Sequence, residues 1–436
     1  MVDDLNLQFR DGEEREKIKK LFMTPPSINE ERPTIVFSTP SETGTSYFRL
    51  FEPMRAMYKK FSDEANFVYT EKLQPEHVDM ADCILMHRCG ELHSKYLNVA
   101  RMWPKTEVRP LVIHDVDDNE FNLPATHPMK ELWEQAGKDK MSVHSLKYSD
   151  YITTTTPKLK ETFNNFNKNV SVFPNKFDWS LHQWNLDKEQ VRREMLEEWF
   201  PTDDKIIIGW AGLTSHYADI EKMAPILKVI HDRYPNTHFI IAGLALKDSN
   251  VKVEMVNGKK TFKEVDVEDE SKTYSGRVKA LFNRFDQKRV KFFKALPLEE
   301  YGKFYSLFDI SMAYIEHNTF NSCKSEIKVV ESLRYGCPTI YSNFGGYRDF
   351  SQSLPSSLDN KGFYLKDNSR QKWVNALANC IDNLDESKKH ALALRDYVSD
   401  IYNIDNSIED HFYFIREKIE EHREKQVNNA ARYMEI

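Results

Sequence analysis

Asn321-Ser-Cys-Lys-Ser-Glu-Ile-Lys-Val-Val-Glu-Ser-Leu-Arg-Tyr-Gly-Cys-Pro-Thr-Ile-Tyr-Ser342 reads as loop, helix, stop and strand within one short run. Ser325 is the expected N-cap of a helix running through Tyr335. Gly336 ends that helix, Pro338 prevents its continuation, and Thr339-Ile-Tyr341 supplies the following strand. A helix start flanked by Lys324 and Lys328 offers free amides, the positive end of a helix dipole and two cations, all suited to a diphosphate. Glu331, two turns in, is placed to accept hydrogen bonds from a ribose diol. The competing readings are a solvated helix face for the two lysines and an ordinary helix position for Glu331.

Outward from this stretch the chain alternates strands with helices. Short apolar, β-branched runs occur at Thr34-Ile-Val-Phe-Ser38, Cys83-Ile-Leu-Met86, Leu111-Val-Ile113, Tyr151-Ile-Thr-Thr154 and Val170-Ser-Val-Phe173. After a charged helix over 188–199 the pattern restarts at Lys205-Ile-Ile-Ile-Gly209. It continues at His238-Phe-Ile-Ile-Ala242, Val290-Lys-Phe-Phe293, Ile310-Ser-Met312 and Thr339-Ile-Tyr341. Two such series predict an α/β protein of two Rossmann-like, doubly wound domains facing a cleft. The expected divisions are 1–184 with a charged leader, a linker helix over 185–203, a second domain over 204–385, and crossover helices over 386–436.

Residues 47–61 have helical spacing, with Phe48, Phe51, Met54 and Tyr58 on one face. The basic, aromatic set Arg49, Arg55, Tyr58, Lys59 and Lys60 is read as a solvated helix face, against contact with a membrane surface or nucleic acid. Asn257-Gly258 between 251–256 and 259–267 predicts a β-hairpin. It follows the strand ending near Gly243 and carries Lys252, Lys259, Lys260 and Lys263, so it either overhangs the cleft and helps choose the acceptor or is a surface decoration.

A chain of 436 residues exceeds one hydrophobic core. No apolar run is long enough to cross a bilayer, and the start of the chain is charged rather than signal-like. Five single cysteines without CxxC or zinc spacing suit a reducing compartment, and the expected location is cytoplasmic. A net charge of −7 gives no global nucleic-acid footprint, although a local basic patch stays open. No metal cluster is visible in the sequence.

Glu331, five residues to Gly336, then Pro338 and a strand together resemble the donor-site helix of retaining GT-B glycosyltransferases. The likeness is to family four, which includes bacterial mannosyltransferases and sucrose synthase. That family carries two glutamates eight positions apart; the second maps onto Glu331, and the first would fall on Cys323. Val172-Phe-Pro-Asn-Lys-Phe-Asp178 resembles the family's Pro-Asn-Gly-x-Asp signature. Ile208-Gly-Trp-Ala-Gly-Leu-Thr-Ser-His-Tyr-Ala-Asp219 resembles its glycine-rich loop, with His216 and Lys222 but without the usual arginine. Leu111-Val-Ile-His-Asp115 looks like the strand-end His-Asp that sets a histidine beside the donor sugar, followed here by Asp117-Asp118.

The resemblance implies transfer of a sugar from a UDP- or GDP-sugar co-substrate to an acceptor hydroxyl, with retention and without a protein nucleophile, bound cofactor or metal. It implies a catalytic role for His114, against a purely structural strand-end histidine, and donor contacts from Gly44, Gly212, His216, Lys324, Ser325, Lys328 and Glu331, with Lys324 also catalytic. Asp117, which the resemblance does not supply, is read as a catalytic cleft residue acting on the acceptor, against a metal ligand or, with Asp118 and Asn119, a turn. The acceptor is a glycan or glycolipid, or a hydroxymethylated base of DNA, since the Lys- and Asn-rich, Gly-poor composition would suit a bacteriophage member. Oligomeric state is not legible. The rivals are a sugar-nucleotide epimerase of the same fold and a catalytically silent nucleotide-sugar-binding module, the latter kept open by Cys323.

Overall fold

The computed structural model describes residues 28–434, apart from 40–43, 89–90, 105–106, 126, 128–129, 182–183, 246–248, 257–258, 267–268, 270, 272, 298–299 and 359–366. Its first sheet holds β1 (Thr34–Ser38), β2 (Asn66–Thr70), β3 (Cys83–His87), β4 (Leu111–Val116), β5 (Tyr151–Thr154) and β6 (Val170–Val172). The strand order is β2-β1-β3-β4-β5-β6 and every pairing is parallel. All residues of β1, β3 and β4 are buried, which is why they read as continuous apolar runs.

Side chains alternate between the two faces of this sheet. Ile35, Phe37, Leu85 and Ile113 join the main core. Val36, Ile84, Met86 and Val112 pack instead with Tyr96 and Leu97 of α2 (Glu91–Arg101). His114, two residues beyond Val112, belongs to that second face. It also lies two residues before the end of β4 rather than at it. The strand outruns its apolar part because Asp115 is satisfied from afar.

That partner is Arg49. Its Nε and Nη2 donate to the Asp115 carboxylate at 2.9 and 2.6 Å, and Thr153 Oγ1 donates at 2.7 Å. Arg55, in α1 (Glu52–Phe61), likewise bridges Glu52 and Asp178 at 3.1 and 3.0 Å. The expected solvated face of this helix is therefore half wrong: Arg49 and Arg55 are buried. Only Lys59 and Lys60 are solvent-facing, paired with Asp405 and Glu409. Removing one partner from such a buried pair costs about 3–5 kcal/mol. β2 has no counterpart among the sequence-predicted strands.

α4 (Lys188–Met195) precedes the second sheet. It comprises β7 (Ile206–Ala211), β8 (Thr237–Leu244), β11 (Val290–Lys294), β12 (Ile310–Ala313) and β13 (Thr339–Tyr341), in the order β11-β8-β7-β12-β13 and parallel throughout. Between β8 and β11 stands the antiparallel pair β9 (Ser249–Val256) and β10 (Lys259–Asp266), in register Val256↔Lys259. The expected hairpin strands are thus present, and the Asn257-Gly258 turn lies outside the described residues.

The chain crosses between the domains twice, and the crossings touch. Phe177 N donates to Tyr402 O at 3.3 Å, and Ile404 N donates to Phe177 O at 3.2 Å. After the second crossing the helix Ile408–Met434 packs on α1 and β4, with Phe412 stacked on Phe61 at 4.0 Å between ring centroids. No helix among the described residues is long and apolar enough to cross a membrane.

Candidate functional site

The decisive stretch folds as expected in outline. A 3-10 turn at Asn321–Cys323 and an extended Lys324 lead into α5 (Ile327–Arg334), and Gly336 follows with φ +61°. Ser325 is not the N-cap. Glu326 holds that position without a side-chain cap, and Ser325 Oγ instead accepts from Asn175 Nδ2 at 3.0 Å. Gly345 and Gly346 make the approach of the next helix possible. A Cβ on Gly346 would stand 2.5 Å from Lys324 O, and one on Gly345, at φ +56°, 2.9 Å from Asn321 O. The Gly-Gly pair after β13 was the available signal for this contact, and sequence reasoning passed over it.

Lys328, in the first turn of α5, has its ammonium 5.7 Å from the Trp210 ring centroid and no carboxylate partner among the described residues. Burial lowers its pKa to about 8, with Lys324 pushing the same way and Asp219 and Glu331 opposing. Glu331 is 2% exposed, and its Oε2 accepts from Tyr305 Oη at 2.6 Å. Burial raises its pKa to about 7.

The loop after β7 meets the same region. Gly212 is required there by space: its Cβ would stand 2.5 Å from the Trp210 ring, and a Cβ on Gly243, at φ +91°, would stand 2.5 Å from Gly212 O. His216 Nδ1 pairs with Asp219 Oδ2 at 2.7 Å, and Asp219 Oδ1 accepts from Glu316 N at 2.9 Å. One aspartate thus joins the loops after β7 and β12. Burial holds His216 at about 4, so its ring is neutral near pH 7. Gly44 opens a helical turn just after residues 40–43, which lie outside the described residues.

The opposing wall comes from the strand ends of the first sheet. His114 is 2% exposed, and burial beside His93 and His87 lowers its pKa to about 3. Asp117 is buried with its Oδ1 3.5 Å from His87 Nε2 and 3.8 Å from Arg88 Nε. Although burial alone would raise its pKa, Arg88 and His87 hold it well below the usual carboxylate range. Four polar contacts tie this wall to the 323–325 loop. Lys324 Nζ pairs with Asp118 at 2.8 Å, Thr156 Oγ1 donates to Cys323 O at 3.1 Å, Asn119 Nδ2 lies 3.9 Å from Cys323 Sγ, and Asn175 reaches Ser325. Lys324 is thereby shared between domains, a contact invisible to local sequence reading.

No protein-family model matches the chain, and no curated protein matches it in sequence. Solved structures do resemble it in shape. HepE from Anabaena, in complex with UDP-glucose, superposes with a TM-score of 0.57 at 13% identity, covering 87% of this chain and 99% of its own. Sucrose-phosphate synthase from Thermosynechococcus elongatus gives 0.59 at 13% identity, with 88% and 99% covered. The catalytic domain of starch synthase IV from Arabidopsis thaliana, bound to ADP and acarbose, gives 0.59 at 10% identity, with 91% and 99% covered.

The fold is GT-B. At these identities the likeness establishes architecture, and residue roles rest on this chain's own geometry. Of the expected donor-side residues, His216 and Lys328 are each close enough to feel the Lys324 charge, and Lys328 also feels Glu331; Gly212 follows β7, and Ser325 precedes α5. His114 and Asp117 stand across from them. Lys222 lies further along the helix Tyr217–Arg233. Among the described residues no group of three or more His, Cys, Asp or Glu is arranged to hold a metal ion.

Proposed function

We propose that the chain is a nucleotide-sugar-dependent glycosyltransferase, moving a sugar from a UDP- or GDP-sugar to an acceptor hydroxyl with retention of configuration. The observation that carries this reading is Lys328: a largely buried ammonium at a helix start, without a carboxylate partner among the described residues and beside a second cation. Such a group wants a mobile anion, and a diphosphate bridging Lys324 and Lys328 supplies it. Same-fold proteins captured with UDP-glucose or ADP support the assignment.

In this reading the two lysines and the amides opening α5 take up the charge that builds on the departing nucleoside diphosphate. Its oxygen receives the proton of the attacking hydroxyl on the same face of the sugar, which preserves configuration without a protein nucleophile. Catalysis is then positioning and electrostatics. Glu331 Oε1, without a hydrogen bond among the described residues, accepts from the ribose while Oε2 stays with Tyr305. Gly44, Gly212, His216 and Ser325 line the donor. His114 is a neutral hydrogen-bond partner of the transferred sugar, and Asp117 faces the acceptor. The acceptor is a glycan, a glycolipid or a hydroxymethylated DNA base.

A silent binding module is the second reading, favoured by one observation: Cys323, standing where the family's first glutamate would fall, is buried against Asn119. Calorimetry on Glu331→Gln tests the donor site. Loss of about 1–3 kcal/mol in UDP- or GDP-sugar binding is expected, between the values for a neutral and a charged hydrogen-bond acceptor. Unchanged affinity for both nucleotides would remove Glu331 from the site.

A further inference from the structure

The ends of β3 and β4 concentrate buried polar atoms. Both ring nitrogens of His87 and of His114, Arg88 Nε, Asp117 Oδ1 and Asn119 Oδ1 are buried without a hydrogen-bond partner among the described residues. Each orphan of this kind is destabilising, so packing alone would not assemble several in one place. Arg88 adds backbone strain, since it is a non-glycine residue at φ +56°. Its guanidinium stands 3.8 Å from Asp117 and 3.5 Å from Glu120, with His87 Nε2 3.5 Å from the same Asp117 oxygen. Arg88 and His87 thus both lean on one Asp117 oxygen at long distances, leaving room between them for a further polar partner. The His87 side chain is fully buried.

The chemistry of the atoms selects the ligand. Asp117 Oδ1 and Asn119 Oδ1 accept, Arg88 Nε donates, and an imidazole ring offers nitrogens of either role according to its tautomer. A hydroxyl both donates and accepts, so neighbouring hydroxyls can satisfy an acceptor and a donor side by side. Charge argues against an anion: three carboxylates, Asp117, Asp118 and Glu120, stand here against the two cations Arg88 and Lys324 among the described residues. A cation would meet Arg88.

We propose that His87, Arg88 and Asp117 form a subsite for a vicinal pair of hydroxyls on a neutral sugar ring. Asp117 Oδ1 accepts from one hydroxyl, and Arg88 Nε–H and a His87 N–H donate to the pair. The subsite deepens the glycosyltransferase reading and rests on it only in taking a sugar as the reactant. The ring belongs either to the transferred sugar or to an acceptor sugar, which present the same chemistry.

Saturation-transfer NMR separates these cases. The probes are methyl glycosides of glucose, mannose, galactose and N-acetylglucosamine, with and without UDP or GDP, and the intact UDP- and GDP-sugars. Wild type is compared with Asp117→Asn, which is isosteric, and with Arg88→Gly, which removes the guanidinium and suits the backbone. Circular dichroism checks the fold of each variant. Sugar-ring enhancements in wild type that drop at least fivefold in both variants are the expected result. Enhancement confined to intact nucleotide-sugars assigns the ring to the donor; enhancement of a free glycoside assigns it to the acceptor. Sugar signals that are absent throughout, or equal in all three proteins, overturn the subsite. Nucleotide-ring signals report the Lys324–Lys328 region independently. Nucleotide binding without a variant-sensitive sugar signal leaves the glycosyltransferase reading standing and sinks the subsite, and the reverse pattern does the opposite.

Discussion

Donor binding should take up a proton at Lys328. Burial brings this ammonium down to about 8 from its ordinary 10.5, which at 1.36 kcal/mol per unit corresponds to roughly 3 kcal/mol of cost in holding the charge. A bound diphosphate supplies the missing counter-charge and keeps Lys328 protonated. In the free protein the charged fraction is about nine-tenths at pH 7, one-half at pH 8 and one-tenth at pH 9. Nucleotide-sugar affinity should therefore fall about tenfold between pH 7 and pH 9, or about 1.4 kcal/mol. About half a proton should be taken up per ligand at pH 8 and almost none at pH 6.5. Calorimetry in buffers of different ionisation enthalpy reads that uptake directly. Lys328→Arg, charged at every accessible pH, should bind with the pH slope removed. A heat independent of buffer at pH 8, together with flat affinity to pH 9, would refute the placement of the diphosphate beside Lys328.

Three further outcomes are expected. Asp118→Asn removes the carboxylate that competes for Lys324, so nucleotide-sugar affinity should rise, by about 0.2–1 kcal/mol for a partly exposed pair; equal or weaker binding by calorimetry would show that Asp118 positions Lys324 instead. His114→Ala should lower kcat at least tenfold while nucleotide affinity, set by the other domain, stays within twofold; unchanged turnover would make His114 a packing residue. His93 and His216 are held at about 4, and His114 and His411 at about 3, by burial. Because the unfolded chain binds these protons and the folded chain does not, stability is full above about pH 6.5 and drains as pH falls toward 4. Each histidine contributes at most about 1.4 kcal/mol per pH unit, and urea denaturation giving equal stability at pH 7 and pH 5 would contradict this.

The fold was legible wherever a strand is buried on both faces. Thr34–Ser38 and Thr339–Tyr341 coincide with their apolar runs, because nothing polar interrupts them. β4 reads too short in the sequence: His114 and Asp115 look like a strand end, while Arg49, 66 positions before Asp115, pays the cost of burying it. The same distance effect hides Arg49 and Arg55 in an apparently solvated helix, since Asp178 is 123 positions from Arg55. On the site, Lys324, Lys328 and Glu331 stand out because a helix start and stop are local signals. His87 and Arg88 carry no local mark, and only the fold sets them against Asp117. The Lys324–Asp118 pair spans two domains and needs both sheets in place.

Whether the protein transfers sugar is decided most directly by mass spectrometry. Protein is incubated with a panel of UDP- and GDP-sugars and pooled acceptors: glycans, glycolipids, hydroxymethylated DNA and water alone. The expected result is consumption of one nucleotide-sugar, release of its nucleoside diphosphate and appearance of the sugar on an acceptor with its anomeric configuration kept, all lost in the Lys324→Ala, Lys328→Ala double variant. A nucleotide-sugar that binds wild type yet stays intact with every acceptor through prolonged incubation would contradict the transferase and leave a binding module.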